Sequence, residues 1–195
     1  MISNGQNDDA RALLSNLLES NVDWLQKIAS NIKIEVSELN KELISYFAKH
    51  PEQLRSIPPR EFEKIIFEIL LNRGFDVQLT RMGGDGGRDI LAVFKSPSQE
   101  EVLTIVECKR WKPERKVGIA VVERFLYVMN EKDKAKYGII ATTSYFSRDT
   151  ESVAKKWSKE LKLRDFNNLV KWLKEYGQWK GDKHSGLWAP NISVL

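Results

Sequence analysis

One cysteine and two histidines stand in 195 residues. A single thiol excludes a disulfide within the chain and a zinc site built from clustered thiolates. His50 and His184 are too isolated for a histidine–metal site, and neither belongs to a triad pattern; no Gly-x-Ser-x-Gly elbow is present. The glycines at 83–87 lack both the Gly-x-Gly-x-x-Gly spacing of a dinucleotide fold and the Lys-Ser/Thr of a phosphate-binding loop. No stretch approaches the ~18 apolar residues of a membrane span. The opening MISNGQNDDARALL lacks the basic start and apolar core of a signal peptide. No membrane contact and a cytoplasmic location are therefore expected.

What remains is apolar enough for one ordinary domain with a helical appendage. The net charge of +4 suits a polyanionic partner but decides little by itself. Its placement says more, because Lys109, Arg110, Lys112, Arg115 and Lys116 crowd one short segment.

Residues 1–50 read as helices, with Leu13, Leu14, Leu17 and Leu18 at helical spacing, then Leu25 and Ile28. Ser37 is placed to cap a helix through Leu39, Leu43, Ile44 and Phe47, which His50-Pro51 ends. Pro59 then opens a helix whose stripe is Phe62, Ile65, Ile66, Ile69 and Leu70, with Gly74 as its stop. Strands are expected over 75–80, 89–95 and 102–111, with a loop over 96–101. A helical pattern follows over 117–131, a buried strand over 137–142, a helix from Ser147 to Trp157, an edge strand over 161–166, and a last helix carrying Leu169, Val170 and Leu173. Strands 89–95 and 102–111 are apolar on both faces, which predicts a sheet covered on both sides. The expected fold is a mixed α/β sandwich: a meander of three strands, then a helical crossover to the fourth. The domains are drawn as 1–50, a helical segment, 51–180, the α/β domain, and 181–195, an irregular tail.

Two stretches carry chemistry. Asp89 follows the glycine turn at the start of one strand, and Glu107-Cys108-Lys109 closes another. Side chains alternate along a strand, so Glu107 and Lys109 share a face and Cys108 points away as a small buried residue. Two carboxylates about 4 Å apart repel by roughly 4 kcal/mol at an effective dielectric of about 20. A divalent cation relieves that repulsion, and Mg²⁺, which needs only one or two carboxylates plus waters and a phosphate, fits best. The carbonyl of Cys108 offers a further oxygen. Such an ion polarises a phosphoryl oxygen and supplies hydroxide near neutral pH, while Lys109 stabilises developing charge or orients the water. Phosphodiester hydrolysis is the chemistry these groups suit.

Here the residues meet a known pattern. Pro59-Arg60-Glu61-Phe62-Glu63, Asp85-Gly86-Gly87-Arg88-Asp89, Glu107-Cys108-Lys109 and Ile140-Ala141-Thr142-Thr143 with Phe146 occur in order. Together they resemble the Mrr-type restriction endonuclease domain of the PD-(D/E)XK nuclease superfamily, over residues of about 59–173. The resemblance implies a restriction-endonuclease-like α-β-β-β-α-β core with a mixed sheet flanked by helices. It also implies a DNA endonuclease using Mg²⁺, with Mn²⁺ as a substitute, and a role in restriction or defence against foreign DNA. Asp89 and Glu107 would be metal ligands with the Cys108 carbonyl, Lys109 the catalytic cation, and Glu63 a carboxylate behind the ligands or at a second ion. By helical spacing alone, Glu61 competes with Glu63.

Arg88, Arg110, Lys112, Arg115 and Lys116 are expected DNA contacts, although Arg110, Lys112, Arg115 and Lys116 taken singly read most simply as solvated charges. Thr142 and Thr143, like Ser144, either hydrogen-bond a phosphate or end a strand. Ser147 reads as a helix cap, and Trp111 and Phe146 as packing residues. Cutting both DNA strands asks for two sites, so a homodimer is expected, with residues 1–50 as dimer, DNA or regulator contact. The competing readings are a repair or junction-resolving nuclease of the same fold, and an inactive DNA-binding scaffold. The intact Asp, Glu and Lys weigh against the scaffold.

Overall fold

The computed structural model describes residues 40–80, 86–95 and 100–176. The leucines at 13–18, the cap expected at Ser37, part of the loop expected at 96–101, and the tail with His184 lie outside the described residues. The chain divides into two compact units, residues 1–43 and 44–195. The second holds the sheet.

Helical backbone covers residues 40–49 (α1) and stops at His50, whose φ of −129° is non-helical as the following proline demands. Pro51–Arg55 is a single 3-10 turn. Helix α2, Pro59–Asn72, starts on a proline, where the missing N–H has no partner to lose. All five residues of its expected stripe are buried. Gly74, at φ +89°, turns the chain out of α2, and the Phe75 N–H donates back to the Leu70 carbonyl at 3.2 Å. A left-handed residue here is the usual helix stop, and glycine takes it without a side-chain clash.

Five strands follow: β1 Asp76–Leu79, β2 Ile90–Lys95, β3 Glu101–Lys109, β4 Tyr137–Thr142 and β5 Leu161–Arg164, in spatial order 1-2-3-4-5. β1, β2 and β3 form the expected antiparallel meander; β3–β4 and β4–β5 are parallel. The parallel joins require crossovers. Helix α3, Ile119–Tyr127, prolonged by a π turn at Val128–Lys132, makes the first, and α4, Arg148–Lys155, the second. Helix α5, Phe166–Glu175, closes the domain. The mixed α/β architecture is the expected one. Strand ends lie within one or two residues of their expected limits, and β2 begins at Ile90, which leaves Asp89 just before it.

Both sheet faces are covered. Ile90, Val106 and Ile139 face the layer of α2 and α5, with Phe62, Ile66, Leu169 and Trp172, and Ile44 and Phe47 of α1 join it. Ile105 and Ile140 face the layer of α3, with Val122, Phe125 and Met129. Consecutive residues of β3 thus serve opposite layers, which is why its sequence shows no polar alternation. Caps fix the later helices: Ser147 Oγ accepts the Thr150 N–H at 3.3 Å, as expected, and Asp165 and Asn168 form a reciprocal capping box.

Candidate active site

The antiparallel register pairs Ile90 with Val106, so Asp89 lies beside the end of β3. Two bonds hold it there. Its N–H donates to the Val106 carbonyl at 2.8 Å, and its Oδ2 accepts the Cys108 N–H at 2.6 Å. The parallel register sets Lys109 beside Thr142 of β4. The site therefore forms where a strand start and two strand ends meet, and Cys108 faces the α2 layer, away from Glu107 and Lys109.

Glu107 is 1% exposed. Its Oε1 pairs with Lys109 Nζ at 2.5 Å and accepts Arg124 Nη2 at 2.9 Å. Its Oε2 is buried with no hydrogen-bond partner. A buried carboxylate is costly unless paired, so two cations on one oxygen offset part of that cost and the other oxygen stays unspent. A hard divalent cation is the ligand such an oxygen suits. Among the described residues no three His, Cys, Asp or Glu side chains form a ready metal cage. The donor chemistry of Asp89, Glu107 and the Cys108 carbonyl fits such an ion.

Glu63 belongs to the same field. Its Oε2 accepts Arg60 Nη1 at 2.7 Å, and Arg60 Nη2 donates to the Thr80 carbonyl at 2.9 Å. Thr80 in turn gives its N–H to the Asp89 carbonyl at 2.9 Å and its hydroxyl to the Arg88 and Asp89 carbonyls, each at 3.1 Å. A chain of hydrogen bonds thus ties the α2 carboxylate to the Asp89 backbone. The Cys108 thiol is held well above its ordinary pKa by burial first, then by the charges of Asp89, Glu63 and Glu107, with Lys109 opposing. Three carboxylates act on one thiol. Glu61, the rival by helical spacing, pairs instead with exposed Lys64 at 2.8 Å.

The expected DNA contacts divide. Lys112, Arg115 and Lys116 are exposed, and the Arg115 guanidinium lies 3.9 Å from the centre of the Trp111 ring. Arg110 donates to the Arg55 carbonyl at 2.8 Å, and Arg88 pairs with Asp133 at 3.1 Å. Thr142 and Thr143 turn their hydroxyls inward. Both are fully buried; Thr142 Oγ1 donates to the Lys109 carbonyl and Thr143 Oγ1 to the Trp111 carbonyl, each at 2.8 Å. Ser144 Oγ likewise donates to the Arg115 carbonyl at 2.8 Å. These hydroxyls hold the end of β3 and the basic loop in place.

Sequence reasoning missed Arg124, Arg60 and Thr80. Arg60 stands three residues before Glu63, a helical ion-pair spacing that could have exposed it. Nothing local marks Arg124, which lies 17 residues from Glu107.

Residues 54–173 match the family model Mrr_cat, described as "Restriction endonuclease". An uncharacterized protein, y4cE of Sinorhizobium fredii, is 29% identical over 180 residues, which cover 92% of this chain and 44% of that protein. The DNA modification-dependent restriction endonuclease AspBHI superposes with a TM-score of 0.53 at 23% identity, over 72% of this chain and 35% of its own. The match to AspBHI is one of fold. This chain spans less than half of either relative.

Proposed function

Because the chain belongs to the Mrr-type restriction endonuclease family, matched over residues 54–173, we propose that it is a metal-dependent DNA endonuclease that restricts foreign or modified DNA. One observation carries the reading: a buried Glu107 with an unspent Oε2, beside Asp89 and Lys109. Asp89, Glu107 and the Cys108 carbonyl would hold Mg²⁺ or Mn²⁺. The bound ion would polarise the scissile phosphate and lower the pKa of its water.

The chain's own residues do the rest. Asp89, anchored by the Cys108 N–H, presents its carboxylate without freedom to swing. Lys109 is 20% exposed, so its ammonium can turn from Glu107 toward a phosphate, orient the attacking water and offset the charge that develops on the phosphoryl oxygens. Glu63, held by Arg60, sets the field from the α2 side. Lys112, Arg115 and Lys116 offer charge to successive phosphates, a contact that fixes position without reading sequence. Cleavage of both strands calls for two copies of the site, and a homodimer supplies them. Residues 1–50 would make a dimer, DNA or regulator contact.

Plasmid cleavage tests the reading. Nicking is expected with Mg²⁺ or Mn²⁺ and not with EDTA. Asp89→Asn, Glu107→Gln and Lys109→Ala should each lower the rate by about 100-fold or more, the scale of losing one electrostatic contact to the transition state. Cutting in EDTA, or full activity in all three variants, sinks the mechanism. A panel of modified, unmodified and branched duplexes separates restriction from junction resolution, and sedimentation with and without DNA checks the dimer.

A further inference from the structure

Arg124 has no part in the site so far, yet it bonds the carboxylate at its centre from α3. Its guanidinium crosses from the helix to Glu107 Oε1 at 2.9 Å, the oxygen that Lys109 also pairs with. It passes against Gly87, whose Cβ position lies 3.4 Å from Arg124 Nε and 3.5 Å from Nη2, an ordinary packing distance; the φ of +101° at Gly87 is what favours glycine there. The arginine side chain is 60% exposed while the carboxylate it touches is 1% exposed. One end of the pair is buried and the other opens to solvent.

Resting on the metal-site reading above, we infer that Arg124 is a positioning residue that holds Glu107 against premature metal loading and moves to a DNA phosphate when substrate arrives. The physical argument is charge competition. In the resting site two cations already offset Glu107. A divalent ion on Oε2 adds like charge beside both, and like charges a few ångströms apart repel strongly where the dielectric is low. Lys109 and Arg124 then gain by turning to an anion, and the nearest one in the working complex is the phosphodiester. Metal affinity and DNA affinity are coupled through Arg124, and the coupling acts equally in both directions. The arginine keeps the carboxylate compensated while the site waits and adds phosphate contact when it works.

Mn²⁺ binding by the full chain, followed by electron paramagnetic resonance, tests this with and without a duplex carrying non-hydrolysable linkages. In Arg124→Gln, Mn²⁺ should bind about 3- to 10-fold tighter without DNA, the effect of removing one partly exposed like charge. The tightening that DNA brings to the wild type should shrink in Arg124→Gln, cleavage at saturating Mn²⁺ should slow, and Arg124→Lys should restore the wild-type order in part. A merely structural arginine would weaken metal binding on removal, not strengthen it. Equal or weaker Mn²⁺ binding in Arg124→Gln, with binding lost in Glu107→Gln, overturns the inference and leaves the metal site standing. Unchanged binding in Glu107→Gln overturns the metal site and the inference together.

Discussion

Replacing Thr142 by valine keeps the shape of a fully buried side chain and deletes one hydroxyl. That hydroxyl makes two bonds: it donates to the Lys109 carbonyl at 2.8 Å and accepts the Ser144 N–H at 3.0 Å. The two losses differ in weight. The Lys109 carbonyl keeps the Thr143 N–H at 3.2 Å, so it stays satisfied. The Ser144 N–H has its bond to Thr142 replaced by a methyl group in a residue that is fully buried. A neutral hydrogen bond contributes about 1 kcal/mol, and a buried donor left unpaired costs about 1–3 kcal/mol. The expected destabilisation is about 2 kcal/mol, equivalent to a melting-point drop of about 4–8 °C for a chain of this size. Because the bond secures the backbone of Lys109, cleavage should fall in kcat while the DNA concentration for half-saturation hardly moves. Thermal melting by circular dichroism and steady-state plasmid cleavage measure both. An unchanged melting point with weakened DNA binding would refute the inward role and restore the phosphate contact.

Two further predictions follow from packing and titration. An alanine Cβ at Gly138 would stand 2.5 Å from Phe125 Cε1 and 2.7 Å from Met129 Sδ, so the side chains packed there from α3 and its π turn must shift. Gly138→Ala should cost about 1–3 kcal/mol and loosen the neighbouring Arg124 from Glu107, whereas Gly118, with nothing within 4 Å of its Cβ position, should accept alanine with little change; equal denaturant midpoints for the two variants would contradict the packing described. The Tyr176 phenol is raised above its ordinary pKa by burial first, then by the hydrogen bond to Glu68 at 2.7 Å and that carboxylate's charge. Its folded-state pKa lies above the unfolded one, so its stabilising contribution is complete below a pH of about 10 and is lost as pH climbs beyond. Denaturant midpoints at neutral and strongly alkaline pH should show a smaller alkaline loss in Tyr176→Phe; an identical loss would assign the effect to other groups.

Much of this was readable from the chain alone. The stripe of α2, its proline start and its glycine stop are patterns within three or four residues, and a helix enforces them locally. Asp89 at a strand start and Glu107 and Lys109 on one face are equally local, because alternation along a strand needs no knowledge of the fold. The sequence also set the order of elements, and with it the meander and the crossover.

Other features depend on which elements meet, and that is settled only when the sheet closes and the helices cover it. Whether Glu61 or Glu63 faces the site turns on where α2 lies over the sheet, since both border its apolar stripe. Thr142 and Thr143 look like phosphate ligands as letters, yet the parallel register of β3 and β4 spends their hydroxyls on the Lys109 and Trp111 carbonyls. Arg124 reads as one more surface charge until the crossover brings α3 past Gly87 and sets its guanidinium on Glu107. Bonded neighbours along the chain set the carboxylates of the candidate site, and contacts across the fold decided which cations meet them.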